Sequence, residues 1–350
     1  MPSSSLLPKD DPSVLLTTAG MQQFKPYYTG EKDPIKDFGA RRAASVQKSF
    51  RTSDIDKVGD ESHLTFFEML GNFSFGDYFK EDAIKWAWEF ITKEMGISPE
   101  RCHVSVFEGD PSPPVGGSGQ VIPEDKKSIE IWRSLGLPDN KIKKCGREDN
   151  FWGPTGNEGP CGPTSEIYVD NIEVWNLVFN QYYMRADKTL ELLKQNGIDT
   201  GMGLERLVMA VQDKKTIFET DLFDFVMSEL SDKLPLRTKR IIADHIRGAA
   251  FLISDGLRPS NKEAGYVLRR LIRRVIAFTY EENIGSPPQR LLKLTVDAYK
   301  TFPDYQNLDF VAVEEVFNDE YGKFIKTLKE GRKEFEKEAD KIKTKKARVL

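Results

Sequence analysis

The sequence predicts an α+β domain followed by an all-helical domain. In residues 1–232, runs of β-branched and aromatic residues alternate with glycines, which is typical of strands joined by turns. In residues 233–350 the glycines thin out and apolar residues recur with helical spacing. A chain of 350 residues is long enough for two domains of ordinary size. We therefore expect one domain over 1–232 and a second over 233–350.

Several elements of the first domain are readable from the pattern of apolar residues. Helical spacing predicts helices over Ala83–Glu94 and Lys127–Leu135, with Trp86 and Trp88 in the core. Between them, Cys102–Phe107 reads as a short strand.

The later part of the first domain mixes strands with a loop rich in glycine and proline. Residues 149–165 embed Trp152 and Cys161, which favours a rigid loop that lines a pocket. A buried strand is predicted over Glu173–Gln181, and Asp199–Gln212 reads as a strand or turn that runs into a helix. The second domain is predicted to contain four helices: Thr238–Ile253, Lys262–Tyr280, Pro288–Lys300 and one that begins at about Val313.

The composition is that of a folded protein from a reducing compartment. Hydrophobic residues make up 39% of the chain and charged residues 30%, which excludes a disordered or collagen-like protein. The three cysteines, Cys102, Cys145 and Cys161, lack paired spacing, so we expect neither a disulfide framework nor a zinc site. No apolar run approaches the roughly 18 residues of a membrane helix, and no signal peptide is recognisable. We expect a cytoplasmic protein without a membrane partner.

The net charge of −4 conceals two halves of opposite sign. Residues 233–350 carry 25 Lys and Arg against 17 Asp and Glu, a net +8, whereas residues 1–232 carry 26 against 38, a net −12. A basic half predicts a polyanionic partner such as nucleic acid. The alternative is a solvated helical surface, which is what most charge runs form.

Nucleotide binding, if present, depends on side chains, because neither a P-loop nor an early G-x-G-x-x-G pattern occurs. Arg51 follows a predicted strand and is placed to clamp an anionic phosphate, although a surface role is the alternative. Gly201 and Gly203 leave one face of a strand bare for a flat ligand, and Arg206 at the next helix can cover a ring or meet a phosphate. The alternative there is a β-bulge followed by a helix cap.

Six blocks in order carry a specific family resemblance, which runs from Pro2 to about Lys333. The chain resembles the catalytic and tRNA-recognition region of the alanyl-tRNA synthetases, a family of class II aminoacyl-tRNA synthetases. The blocks are TFFEMLGNFSFGDYFK (65–80), DNFW (149–152), GPCGP (159–163), EVWNLVFNQ (173–181), DTGMGLER (199–206) and the segment 242–274.

The resemblance implies an antiparallel sheet flanked by helices, on which alanine and ATP form alanyl-AMP before the alanyl group passes to the 3′ end of tRNA-Ala. It assigns catalysis to Arg51, Asp199 and Arg206. Its ATP-binding residues are Arg51, Phe67, Met69, Glu173, Asn176, Gly203 and Arg206. Its alanine-binding residues are Arg51, Trp152, Asn176, Val178, Asp199 and Gly201.

The implied roles fit the chemistry of these side chains. Arg51 meets the α-phosphate and the amino-acid carboxylate, while Asp199 pairs with the ammonium group. Asn176 offers its amide to substrate or phosphate, and Glu173 is a hypothetical Mg²⁺ ligand. For Phe67, Trp152 and Val178, burial in the core is the alternative to a ligand contact.

The resemblance also gives the basic half a partner, the acceptor stem of tRNA-Ala. Its implied tRNA-binding residues are Asn261, Arg269, Arg270, Arg273 and Arg274. Salt bridges to acidic residues on neighbouring helices are the alternative for the arginines.

The sequence lacks blocks that the family carries elsewhere, including the editing domain with its zinc site. We therefore expect ATP and Mg²⁺ as the cofactors, no zinc, and activity without editing. A tRNA-binding part of a split or degenerate synthetase with little catalysis stays open, as does a separate chain that supplies the missing domains. A ligase that charges another carrier is disfavoured by the basic half.

Overall fold

The structure is a computed structural model that describes residues 1–8, 11, 13–110, 121–154, 156–280, 287–306 and 308–347. It divides the chain into two compact units. The first comprises Met1–Ile55 and Glu61–Leu222, and the second comprises Asp56–Asp60 and Phe223–Leu350. No helix in the described part of the chain combines the length and apolar character required to cross a membrane.

The first unit is built on a mixed, mainly antiparallel sheet. Its strands are β1 (Arg42–Phe50), β2 (Phe66–Phe75), β3 (Cys102–Phe107), β4 (Ile142–Cys145), β5 (Phe151–Trp152), β6 (Gly159–Val169), β7 (Ile172–Met184) and β8 (Leu190–Gly203). The spatial order is β1-β2-β8-β7-β6-β3-β4, with β5 paired to β6. Only β3 and β4 pair in parallel among the described strands. The predicted fold class, an antiparallel sheet flanked by helices and followed by a helical region, is confirmed.

Helices flank this sheet and complete the unit. They are α1 (Lys25–Thr29), α2 (Pro34–Phe38), α3 (Lys80–Glu89), α4 (Lys126–Ser134), α5 (Arg147–Asn150), α6 (Leu204–Val211) and α7 (Asp221–Met227), the last of which extends into the second unit. Short 3₁₀ turns lie at Gly20–Phe24, Thr52–Asp54, Pro99–Arg101, Asp139–Lys141 and Ile217–Glu219, and α3 ends in a π-turn over Phe90–Glu94.

The two faces of the sheet have different contents. Along β8, Ile198 and Met202 join the apolar core with residues of α3 and α4. Because successive strand residues point to opposite faces, Asp199, Gly201 and Gly203 lie on the other face. This second face is the one that carries the site described below.

Tryptophans show how helix α4 is fixed to the sheet. Trp132 is fully buried, and its indole N–H donates to Ser165 Oγ at 2.8 Å. Trp88 packs edge-on against Trp132 with ring centroids 5.8 Å apart.

Trp86 is 42% exposed, so the prediction that it lies in the core is wrong. Its ring contacts Tyr78 near the surface instead.

The predicted loop over 149–165 is wrong for most of its length. Asn150 ends α5, Phe151 and Trp152 form β5, and β6 already begins at Gly159. The glycines and prolines are accommodated by a register shift between Cys161 and Thr164 in the pairing of β6 with β7.

The second unit contains the four predicted helices. They are α8 (Leu236–Ser254), α9 (Glu263–Tyr280), α10 (Pro288–Tyr299) and α11 (Phe310–Ala347), with a 3₁₀ turn at Pro303–Tyr305. The four helices all pack against one another, and α8 is buried along most of its length.

Residues of the segment after β1 also belong to this unit. One guanidinium nitrogen of Arg240 donates to the carbonyls of Gly59 and Asp60 at 3.1 and 3.0 Å. Arg237 donates to the carbonyl of Asp56 at 3.1 Å. These bonds anchor Asp56–Asp60 to α8, which the apolar pattern of the sequence did not indicate.

A side chain at Gly162 is expected to destabilise the sheet beside β5. A Cβ there would lie 1.9 Å from the carbonyl oxygen of Phe179, so the backbone of β6 or β7 has to move. Gly162→Ala should therefore lower the free energy of unfolding by about 1–3 kcal/mol, as overpacking does. Urea denaturation measures this change. Gly146→Ala is the control, because a Cβ there meets only Glu108 at an ordinary 3.5 Å; an equal loss in both variants would contradict the prediction.

Candidate active site

A cavity of about 370 Å³ opens on the second face of the sheet. Side chains from β2, β6, β7, β8 and the start of α6 line it, together with the segments around β1 and β5. All eleven residues predicted for ATP and alanine binding lie in its wall: Arg51, Phe67, Met69, Trp152, Glu173, Asn176, Val178, Asp199, Gly201, Gly203 and Arg206. The structure thus brings together residues that are up to 155 positions apart in sequence. The role of each remains a prediction.

Two arginines form the positive part of the cavity. The guanidinium carbon of Arg51 lies 5.0 Å from the ring centroid of Phe67, a cation–π distance. Arg206 donates to the carbonyl oxygen and the carboxylate of Glu173 at 2.8 and 3.0 Å. Burial lowers the pKa of Arg51. The nearby charge of Arg206 also lowers this pKa, whereas the charges of Asp54 and Glu173 raise it. An anion bound here would relieve this repulsion.

Asp199 is the negative counterpart of the two arginines. It is 6% exposed, and no hydrogen bond or ion pair to its carboxylate occurs within the described ranges. Burial raises its pKa to about 7. A cationic group in the cavity would reverse that shift, and an unpaired buried carboxylate in a cleft is a candidate binding group.

The space beside Asp199 is small. Val178 is its register partner on β7, and Gly201 lies two residues further along β8. A Cβ on Gly201 would come within 2.8 Å of Met69 Sδ. The walls therefore suit a ligand whose own side chain is short.

Sequence reasoning missed Glu166 and Tyr168, which also line the cavity. Glu166 is 6% exposed and accepts hydrogen bonds from Tyr168, Ser105 and Asn176. Burial, together with the charge of Glu173, raises its pKa to about 7. The alternation of polar residues in TSEIYV was the available signal, since it places Thr164, Glu166 and Tyr168 on one face of a strand.

The oxygen atoms of Glu173 and Asn176 are of the kind that binds Mg²⁺. Asn176 Oδ1 is buried and has no hydrogen-bond partner within the described residues. No cluster of three or more His, Cys, Asp or Glu side chains in those residues is arranged to hold a metal ion. The predictions for Mg²⁺ and for zinc therefore stay predictions.

The second unit carries a separate basic pocket of about 330 Å³. Tyr266, Ala277 and Phe324 form part of its wall. The rest is formed by all five residues predicted to bind tRNA: Asn261, Arg269, Arg270, Arg273 and Arg274. Burial lowers the pKa of Arg274, and the charge of Arg270 adds to this effect. An anion bound in this pocket would relieve the repulsion between the two guanidinium groups.

Ion pairs are also present in this pocket, as the alternative interpretation required. Glu320 is 4% exposed and accepts from the Nε atoms of Arg269 and Arg273 at 3.1 and 2.6 Å. Arg270 donates to the exposed Asp56 at 2.8 Å. Arg269 also donates to the amide oxygen of Asn261. Glu320 and Asp56 thus pair with three of the four arginines, and the charges of Asp56 and Asp244 also act on Arg274.

Comparison with known proteins gives the class of the chain. The model of the family described as tRNA synthetases class II (A) matches residues 1–349. The chain therefore belongs to the class II (A) tRNA synthetases.

Within that class, the curated relatives are alanine–tRNA ligases. The enzyme of Rubrobacter xylanophilus is 49% identical over 314 residues, which cover 80% of this chain and 34% of that protein. The cytoplasmic enzyme of Caenorhabditis elegans is 40% identical over 378 residues, covering 96% of this chain and 38% of that protein. The enzyme of Thermotoga petrophila is 41% identical over 386 residues, covering 100% and 42%. The chain thus spans between about a third and two-fifths of the length of these relatives.

Replacing Asp199 with asparagine is expected to stabilise the protein without ligand. The unfolded chain loses the Asp199 proton near its ordinary pKa of 3.8 and the folded chain near 7. The cost to the folded state therefore grows as the pH rises between these values and is constant above them. Asp199→Asn should gain about 1–3 kcal/mol at pH 8 and less at pH 5, at up to about 1.4 kcal/mol per pKa unit. Thermal unfolding at both pH values measures this difference.

The matched control is Asp139→Asn, the same change at a surface carboxylate paired with Arg133. A stabilisation of Asp199→Asn that is equal at pH 5 and pH 8 would contradict the assignment of the buried charge.

Proposed function

We propose that the chain activates alanine with ATP to form alanyl-AMP and transfers the alanyl group to the 3′ end of tRNA-Ala. The observation that carries this proposal is the charge arrangement of one cavity: among the described residues no cation pairs with Asp199, and Arg51 and Arg206 lie close enough for their charges to oppose each other. An amino acid with ATP supplies one ammonium group and several anionic oxygens. The family membership supports the same reaction.

Activation needs no side-chain nucleophile. The carboxylate of alanine attacks the α-phosphorus of ATP, a C–O–P linkage forms, and the bond to the pyrophosphate oxygen breaks. Asp199 holds the ammonium group, and Arg51 stabilises the charge that develops on the phosphate oxygens. Mg²⁺, when bound by the oxygens of Glu173 and Asn176, would neutralise phosphate charge.

The size of the pocket supports alanine as the amino acid. Val178 and Trp152 line the same cavity as Asp199, and Met69 already fills the space over Gly201, so little room is left for a ligand side chain. Such a pocket distinguishes small side chains by only about 1–3 kcal/mol. Activation of glycine and serine at reduced rates is therefore part of the proposal, and activity without editing stays a prediction.

The first test is alanine-dependent exchange of pyrophosphate into ATP. The chain should catalyse it, and Asp199→Asn should reduce kcat/KM for alanine by at least about 100-fold, because a buried carboxylate that pairs an ammonium is lost. Asp139→Asn is the control and should behave like the unchanged protein. A folded protein that binds tRNA but shows neither exchange nor ATP binding would favour the alternative, an RNA-binding part of a split or degenerate synthetase.

The second test concerns the basic pocket and an RNA hairpin with the acceptor stem of tRNA-Ala. Arg270→Gln and Arg274→Gln should each weaken binding about tenfold and reduce the slope of log K against log salt by about 1, since each loses one phosphate contact. Fluorescence anisotropy at several salt concentrations measures both quantities. Arg290→Gln is the control, because Arg290 pairs with Glu229 outside the pocket. An equal loss in the control would place RNA binding elsewhere.

A further inference from the structure

Glu166 and Asn176 face each other across the sheet and are linked side chain to side chain. They are register partners in the pairing of β6 with β7. Asn176 Nδ2 donates to Glu166 Oε1 at 2.9 Å. The other carboxylate oxygen accepts from Ser105 Oγ at 3.2 Å and from the Tyr168 hydroxyl at 2.5 Å. Three donors from three strands therefore hold one buried carboxylate.

This arrangement decides which end of the Asn176 amide is used. In its carboxylate form Glu166 accepts hydrogen bonds and cannot donate them, so the NH₂ end of Asn176 faces it, as in the observed contact. The amide oxygen is left over, buried and without a partner within the described residues. Asn176 lines the cavity, so a ligand bound there is the available source of a donor or a cation.

We propose that Glu166 is a positioning residue that fixes the Asn176 amide so that its oxygen, and not its NH₂ group, serves the ligand. The effect on catalysis depends on the proposed function. Asn176 then accepts a hydrogen bond from the alanine ammonium group or coordinates the Mg²⁺ that accompanies ATP, and it does not donate to a phosphate. The sequence alone left the direction of this amide open.

The test exchanges donor and acceptor between the two positions. Glu166→Gln carries one acceptor and one NH₂ group, so it no longer requires a donor from Asn176; the Asn176 amide loses its fixed direction and should present its oxygen to the ligand only part of the time. Adding Asn176→Asp to this variant restores a donor at 166 facing an acceptor at 176, with an oxygen left for the ligand and the net charge unchanged.

The expected result is that one of the two Michaelis constants, for alanine or for Mg-ATP, rises more than the other. Pyrophosphate exchange by Glu166→Gln should show a KM at least tenfold higher for alanine if the oxygen meets the ammonium group, or for Mg-ATP if it meets the metal. The double variant should recover to within about threefold of the unchanged protein. Ser105→Ala is the matched control, because it removes another donor to Glu166 and leaves the pair with Asn176 intact.

A second measurement is independent of catalysis. In protein labelled with ¹⁵N at the asparagine side-chain amides, the Asn176 resonance is identified by its loss in Asn176→Asp. Its NH₂ protons should exchange slowly with solvent in the unchanged protein and at least tenfold faster in Glu166→Gln. If the unchanged protein shows no pyrophosphate exchange, the proposed function fails, and this measurement alone decides the amide orientation.

Two results would overturn the proposal. One is a Glu166→Gln variant that folds, judged by thermal unfolding, with both KM values unchanged. The other is a double variant that folds but recovers no more than Glu166→Gln alone, since a general loss of packing would not be repaired by the exchange.

Discussion

The pairing of β8 between β2 and β7 is the constraint on which the candidate active-site cavity depends. Hydrogen bonds on both edges fix the alternation of β8, so Gly201, Gly203 and the carboxylate of Asp199 share one face. A shift by one residue would turn Ile198 and Met202 into the cavity and bury Asp199 in the apolar core. The apolar packing of the opposite face therefore also determines the chemistry of the cavity.

The cavity holds charges of both signs that are incompletely neutralised. No cation pairs with Asp199 in the part of the chain that the structure describes, and Arg51 lies close to Arg206. Burial therefore raises the pKa of Asp199 and lowers the pKa of Arg51, which favours the neutral form of each. Such shifts cost stability in the protein without ligand. They also mean that a ligand with a cationic group for Asp199 and an anionic group for Arg51 would gain more on binding here than at a solvated surface. Stability and affinity thus oppose each other at the same residues.

Much of the site could be predicted from the sequence, because short blocks carry it. Within the block DTGMGLER, local spacing indicated Gly201, Gly203 and Arg206 on one strand and the helix that follows, whereas Asp199 was identified through the family resemblance. Glu166 was missed because its role depends on Ser105, 61 residues away, as much as on its own strand.

The errors in the predicted elements have the same origin. The segment 149–165 has the composition of a loop, yet tertiary pairing with β7 holds much of it as strand, and the close approach of Gly162 to Phe179 is part of that pairing. Asp56–Asp60 joins the second unit through its backbone carbonyls, which no side-chain pattern reveals. The periodicity of apolar residues indicates which side of an element is buried. It does not indicate which distant side chain donates a hydrogen bond to a backbone carbonyl.

Both sites use a buried acid to set the direction of an asparagine amide. In the first unit Glu166 binds the NH₂ end of Asn176 and leaves its oxygen. In the second unit Glu320 holds Arg269, which donates to the oxygen of Asn261, so that amide keeps its NH₂ donors for other partners. An amide carries an NH₂ donor and an oxygen acceptor of similar shape, and either group can bind a ligand. A charged neighbour removes that ambiguity before the ligand arrives, which spares the reorganisation that binding would otherwise require.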